Sequence, residues 1–173
     1  MEENQPKIGK FSWTYGLLLG GVSVIFSLML YSMDLHYEQG WDIRSIGIAL
    51  TIAAIVFGMI QFKKANGGYL TIVQGLKLGA GIALISGILG LIWYALLSNV
   101  IEPDFFDKSM EIAKVKVLEE NPKMTDEQWN QGVEMQKKFA WMAYPIILII
   151  NIITGLVIGL IASLFLKKQN PQD

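Results

Sequence analysis

Few side chains in this sequence are of the types that carry out chemistry, and they lie far apart along the chain. The 173 residues include no cysteine and one histidine, His36, which excludes disulfides, thiolate metal sites and multi-histidine metal clusters. Glu102, Asp104 and Asp107 form an acidic cluster that could attract a divalent cation, but it lacks EF-hand spacing and we expect a solvated or capping role. No nucleophile–base pair is visible. We predict no catalytic, cofactor-binding or metal-binding residue, no cofactor and no enzymatic activity.

Asn151 is a strongly polar residue inside a long uncharged segment, Phe139–Leu166. One interpretation makes its amide a contact for a substrate or an ion. The other makes it the donor of a hydrogen bond to a neighbouring helix. We favour the interhelical hydrogen bond because no carboxylate or histidine lies at a similar depth in the apolar segments.

The distribution of charge predicts the elements that must position these residues. The sequence is 53% hydrophobic and only 17% charged, below the roughly 25% charged residues of an average soluble domain. A helix that crosses the ~30 Å hydrocarbon layer of a bilayer needs about 17 to 25 mostly apolar residues. We therefore predict an all-α membrane protein with four transmembrane helices, at about residues 13–33, 45–62, 76–99 and 142–166.

Basic residues near the ends of these segments predict their orientation. Lysine and arginine total 14 against 15 acidic residues, so no basic field favours nucleic acid as a partner. Arg44 lies in the first connection, whereas the two tails and the second connection carry Lys7, Lys10, Lys63, Lys64, Lys77, Lys167 and Lys168. The positive-inside rule then places both termini in the cytoplasm. We expect five of these lysines to contact lipid headgroups, namely Lys63, Lys64, Lys77, Lys167 and Lys168.

The connection between the second and third helices has the composition of a turn. Asn66, Gly67 and Gly68 tolerate positive φ and can end a helix. The residues after the turn are moderately apolar, and the third helix is expected to begin between Thr71 and Leu78. A cytoplasmic turn is the interpretation we favour over a phosphate-binding loop, because the spacing of a P-loop is missing.

Small residues recur at helical spacing in all four predicted spans. Helices in lipid associate by close packing, which small side chains permit, and residues three or four apart lie on one face of a helix. We predict that these rows face inward in a compact bundle and that packing is mediated by Gly16, Gly20, Gly47, Gly58, Gly75, Gly79, Gly87, Asn151, Gly155 and Gly159.

The segment at about 101–140 has the pattern of a helical hairpin outside the membrane. Pro103 should end the third helix, after which Asp104 can cap a new helix that stops near Asn121. Thr125 and Gln128 fit a capping box for a second helix, which is expected to kink or restart near Pro145. We favour a hairpin that packs as a cap on its own bundle over one that docks a partner, because its apolar stripes are short. The hairpin could lie on the membrane or project from it.

The stretch 62–105 resembles a known family. Its pattern comprises two lysines, a Gly-Gly-Tyr turn at 67–69, Gln74 and Lys77, a glycine-rich span and an exit at 103–105 that reads Pro-Asp-Phe. The chain is thereby identified as similar to a bacterial membrane family of the bacteroidete lineage, domain of unknown function 4199. The resemblance implies a four-helix inner-membrane protein, and it implies no activity, cofactor or catalytic residue.

Together these observations predict a single integral membrane domain over residues 1–173. We expect a multi-pass protein of the bacterial inner membrane whose partner is the lipid bilayer. Its expected role is non-enzymatic, structural or interactive, as a homo-oligomer or with another membrane protein. The alternative is a component of a small transporter or channel, although such sites usually show ionisable residues within the membrane.

Overall fold

The computed structural model describes residues 6–37 and 40–168, and over these residues the chain is helical without a β-strand. It forms α1 (Ile8–Ser32), α2 (Trp41–Ala65), α3 (Ile72–Leu96), α4 (Phe105–Glu120), α5 (Asp126–Lys138) and α6 (Ala140–Leu166). A π-helical turn, Leu97–Ile101, extends α3. The predicted all-helical class is confirmed for this part of the chain.

Four of these helices are long and apolar enough to cross a membrane. They are Ile8–Ser32, Trp41–Ala65, Ile72–Ile101 and Ala140–Leu166. The shortest has 25 residues and is about 37 Å long at 1.5 Å per residue, which exceeds the ~30 Å hydrocarbon layer. The four candidate spans predicted from charge distribution are therefore present as helices.

The chain divides into two compact units. One comprises Met1–Gly90 with Ile147–Asp173, and the other is Leu91–Ile146. The first unit has a small fully buried cluster, whose largest members are Phe62, Ile55, Met59, Leu70, Leu78 and Ile82. Most other large apolar side chains of its helices are exposed or half-buried, which is the distribution expected where lipid rather than water surrounds the helices.

Local capping fixes the boundary between α2 and α3. Gly67 and Gly68 have φ angles of 64° and 88°, and the Gly68 amide donates to the carbonyl of Lys63 at 2.8 Å, as in a Schellman-type helix end. Thr71 and Gln74 then form a reciprocal capping box with distances of 2.9 and 3.2 Å. The third helix therefore begins at Ile72, near the early limit of the expected range.

In the second unit, ion pairs join opposite ends of α4 and α5. Lys137 near the end of α5 pairs with Asp107 near the start of α4, at 2.6 Å. Lys114 pairs with Asp126, the first residue of α5, also at 2.6 Å. The two helices therefore lie side by side and antiparallel. Which side of a membrane they occupy stays a prediction.

Two of three expectations about the ends of these helices needed correction. The capping box of Thr125 and Gln128 is present as expected. Asp104 occupies the N-cap position of α4, but its side chain makes no capping hydrogen bond. The break before the last span lies at Phe139, and the helix does not restart at Pro145, which is inside α6. A kink at Pro145 stays a prediction.

Candidate functional site

The most closely packed site in the first unit is the contact between α3 and α6, which we call the glycine seam. Its members on α3 are Gly75, Gly79, Ala83 and Gly87, and those on α6 are Ser163, Gly159, Gly155 and Asn151. Each row repeats every four residues, so each lies along one face of its helix. The two rows run antiparallel and meet residue by residue along four successive turns.

Backbone atoms touch at the centre of the glycine seam. A Cβ atom built on Gly79 would lie 3.0 Å from the Cα of Gly159 and would collide with the Gly155 carbonyl oxygen. A Cβ on Gly155 would lie 2.9 Å from the carbonyl carbon of Gly79. Real Cβ atoms do not approach backbone this closely, so only glycine fits at these two positions. The close approach brings many atoms of both backbones into van der Waals contact.

The glycines of α1 face a different side of α3. A Cβ on Gly16 would lie 2.7 Å from the Cβ of Ile85, and one on Gly20 would lie 2.5 Å from a δ-methyl of Leu89. The predicted α1 row therefore accommodates large side chains of α3. The contacted atoms include the Cβ atoms of Ile85 and Leu89, which are fixed to the backbone, so a side chain at Gly16 or Gly20 would also push the helices apart.

The two predicted glycines of α2 have different surroundings. A Cβ on Gly58 would lie 2.9 Å from the Ile82 side chain and 3.1 Å from the Tyr15 ring, so Gly58 is at a helix contact. A Cβ on Gly47 would meet nothing within 4 Å. The predicted packing at Gly47 is therefore absent from the described part of the chain. Spacing alone grouped these residues, although they lie three turns apart on the helix.

Sequence reasoning missed a second close approach between α1 and α3. A Cβ on Gly81 would lie 2.8 Å from the Cβ of Ser12, a buried residue. Gly81 is two residues from Gly79, about 200° around the helix at 3.6 residues per turn. Because Gly81 lies outside the row of Gly75, Gly79 and Gly87, its position in the sequence could have indicated that helices pack closely against two sides of α3.

The amide of Asn151 bonds within its own helix. Its Nδ2 donates to the carbonyl of Ile147 at 2.9 Å, and within the described part of the chain it makes no hydrogen bond to another helix. The interpretation as an interhelical donor was therefore wrong for this conformation. The side chain of Asn151 instead packs against Gly87. A Cβ atom built on Gly87 would lie 3.4 Å from both the Cβ and the Cγ of Asn151.

Several hydroxyls in the spans are satisfied in the same way. Thr51 and Thr154 donate to carbonyls four residues earlier, at 2.8 Å each, and Ser163 does so within the buried seam. Backbone carbonyls of the same helix are the nearest acceptors where no water is present. These polar groups are therefore compatible with lipid or close helix packing.

Two of the five lysines predicted to contact lipid make contacts within the protein. The Nζ of Lys63 donates to the carbonyl of Leu166 at 2.7 Å, at the C-terminus of α6, where carbonyls lack helical partners. The Lys168 and Leu70 backbones exchange two hydrogen bonds of 3.0 Å, and the Lys168 ammonium lies 5.6 Å from the centroid of Tyr69. The side chains of Lys64, Lys77 and Lys167 are exposed.

The acidic cluster is divided between lysine partners. Glu102 pairs with Lys108 at 2.7 Å, and Asp107 pairs with Lys137. His36 lies elsewhere, with its ring centroid 4.8 Å from Tyr31 and 4.1 Å from Tyr37. Over residues 6–37 and 40–168, no three acidic, histidine or cysteine side chains are grouped as metal ligands would be.

By their length and composition, the four long helices are those of a protein that spans a membrane several times. The closely packed glycines are typical of helix contacts in such proteins. A family model described as a protein of unknown function, DUF4199, matches residues 14–168. The chain belongs to this family, which confirms the family suspected from the stretch 62–105. No curated protein and no solved structure matches the chain.

Proposed function

We propose that this chain is a multi-pass protein of a bacterial inner membrane with a non-enzymatic structural or interaction role. In this proposal α1, α2, α3 and α6 form a compact bundle with cytoplasmic termini, and α4 and α5 form an extracytoplasmic hairpin. The four membrane-length helices support the first part. The lysines at 7, 10, 63, 64, 77, 167 and 168 support the orientation.

One observation carries the interaction role: apolar side chains are exposed on the charged helices α4 and α5. Ile112 and Val115 are three residues apart on one face of α4 and are 41% and 60% exposed, and Met135 of α5 is 63% exposed. An apolar stripe of α4 that includes Phe106 and Met110 is half-buried instead. Ile112 and Val115 are thus additional to that stripe, and they would be covered by a second copy or another membrane protein.

The glycine seam supports a structural role over transport. Its backbones are in contact where a path for a solute would need open space. The hydroxyls of Thr51 and Thr154 are bonded to their own helices, whereas transport sites use polar groups aimed at a substrate. We therefore keep the transporter or channel component as the outcome that the experiment must exclude.

Topology is tested first, with single-cysteine variants, because the native sequence has no cysteine. Asn121→Cys should react with a membrane-impermeant maleimide in intact cells stripped of their outer membrane. Lys167→Cys should react only after the membrane is opened. Labelling of both positions from the same side would contradict the orientation.

The interaction role is tested by a photo-crosslinking residue at Val115, compared with the neighbouring exposed position Lys116. We expect one discrete adduct in native membranes from position 115 and little from position 116. Ile112→Glu, combined with the crosslinking residue at position 115, should abolish the adduct without changing the unfolding midpoint in detergent. Equal crosslinking from both positions, or solute flux in proteoliposomes, would refute the proposed role.

A further inference from the structure

An apolar groove runs between α1 and α2 in the first unit. Tyr15 and Phe57 stand at one end, with ring centroids 5.9 Å apart, and Val22 and Leu50 stand at the other. Ala53 and Ala54 lie between Leu50 and Phe57 on α2, and their small side chains leave a depression of about 280 Å³. Of the side chains that line the groove, only that of Tyr15 carries a polar atom.

The position of the groove relates it to one leaflet of a bilayer. Tyr15 and Val22 are seven residues apart, so the groove is about 10 Å long at 1.5 Å per residue. Half of a ~30 Å hydrocarbon layer is about 15 Å. The groove is therefore long enough to hold most of one acyl chain that lies along the membrane normal. It is too short to span the whole membrane.

Positive charge lies beyond the Tyr15 end. Lys10 precedes Tyr15 by five residues and Lys64 follows Phe57 by seven, which places both lysines about 7 to 11 Å further along the helix axes. Phe11 and Phe62, with ring centroids 5.4 Å apart, hold these ends of α1 and α2 together. Both lysine side chains are exposed. An anionic headgroup at this end would thus lie directly beyond an acyl chain in the groove.

The lining of the groove suits a narrow apolar occupant. Seven of its eight lining side chains carry no polar atom. A single acyl chain is narrow, and its burial against apolar walls removes no polar group from water.

We propose that the α1–α2 groove binds one acyl chain of an anionic phospholipid, with the headgroup phosphate held by Lys10 and Lys64. This inference rests on the membrane placement proposed above and is independent of the role of α4 and α5. The bound lipid would fill the space that the side chains of α1 and α2 leave open. It would act as a structural part of the protein rather than as general solvent.

The test is a titration of the purified full chain, in delipidated detergent solution, with phosphatidylglycerol and with phosphatidylcholine, read by native mass spectrometry. We expect one tightly retained phosphatidylglycerol. Ala53→Phe should fill the groove and weaken its binding at least tenfold, whereas Ile52→Phe places the same aromatic side chain outside the groove and should leave binding unchanged. Equal binding by these two variants would overturn the proposal.

A second pair of variants leaves the groove itself intact. Lys10→Gln with Lys64→Gln should weaken phosphatidylglycerol binding roughly 30-fold, from about 1 kcal/mol for each lysine, and should remove the preference over phosphatidylcholine. Lys77→Gln with Lys167→Gln is the control, because these exposed lysines lie on other segments. Equal losses in the two pairs would overturn the headgroup assignment.

One further outcome concerns a second copy of the chain. A dimer that disappears in Ala53→Phe but not in Ile52→Phe would show that a second copy occupies the groove, and it would overturn the lipid assignment. The titration in detergent does not depend on topology or on crosslinking at Val115. Failure of the lipid proposal is therefore distinguishable from failure of the proposed function.

Discussion

The α3–α6 and α1–α2 pairs are both built from long apolar helices, but they pack very differently. In the glycine seam, backbone meets backbone at Gly79 and Gly155. Between α1 and α2, side chains such as Tyr15 and Phe57 meet edge to face, and a groove remains beside Ala53. Apolarity alone does not drive helices together in lipid. The difference teaches that the size of the residues on each face, rather than hydrophobicity, sets how closely two spans approach.

The largest expected effect comes from breaking the glycine seam. Gly79→Leu forces the two backbones apart and should lower the free energy of unfolding by about 3 kcal/mol or more. The measurement is unfolding by SDS titration from mild detergent. Gly90→Leu is the control, since a Cβ at that position on α3 meets nothing within 4 Å. Equal midpoints for the two variants would show that the seam does not hold the fold.

A smaller effect is expected where α2 is tied to the end of α6. Lys63→Met removes the hydrogen bond to the Leu166 carbonyl and should lower the free energy of unfolding by about 1 kcal/mol. Lys64→Met should have little effect because the Lys64 side chain is exposed. A larger loss in Lys64→Met than in Lys63→Met, measured by the same titration, would contradict this assignment.

Replacing Asn151 tests whether its amide contributes to the contact between α3 and α6. The amide bonds only within α6 among the described contacts, so Asn151→Leu should change the free energy of unfolding by no more than about 0.5 kcal/mol. Thr154→Val, which removes another bond within the same helix, is the matched comparison. A loss above about 1 kcal/mol for Asn151→Leu alone would restore the interhelical interpretation.

The smallest effect is expected at Gly47. Leucine there enters open space, so Gly47→Leu should leave the unfolding midpoint unchanged. Gly58→Leu on the same helix meets Ile82 and Tyr15 and should cost about 1 to 3 kcal/mol. Destabilisation by Gly47→Leu equal to that by Gly58→Leu would indicate that Gly47 packs against another chain.

Local signals in the sequence predicted local features well. The capping box of Thr125 and Gln128 depends on residues three apart and is present. The turn at Gly67 and Gly68 depends on their freedom to adopt positive φ, and both angles are positive. The bonds involved are short-range and require no knowledge of the rest of the fold.

The sequence predicted which glycines belong to the candidate site, but it did not predict which helices they bring into contact. Spacing identified the rows that contain Gly79 and Gly155, but it did not say that these two rows face each other. It grouped Gly47 with Gly58, although only Gly58 lies at a contact, and it overlooked Gly81 opposite Ser12. Periodicity within one helix describes a face, whereas a contact needs the identity and rotation of a second helix.

The sequence by itself determined that this protein has four long helices with uncharged central stretches, because charged side chains and unpaired backbone groups are costly in lipid. It also determined the turn at Gly67 and Gly68 that ends the second of these helices. Only the tertiary structure decided that α3 receives α6 along the glycine seam and that Lys63 binds the end of α6. These contacts join residues distant in the chain, and their free energy depends on surfaces that become complementary only when the helices are placed together.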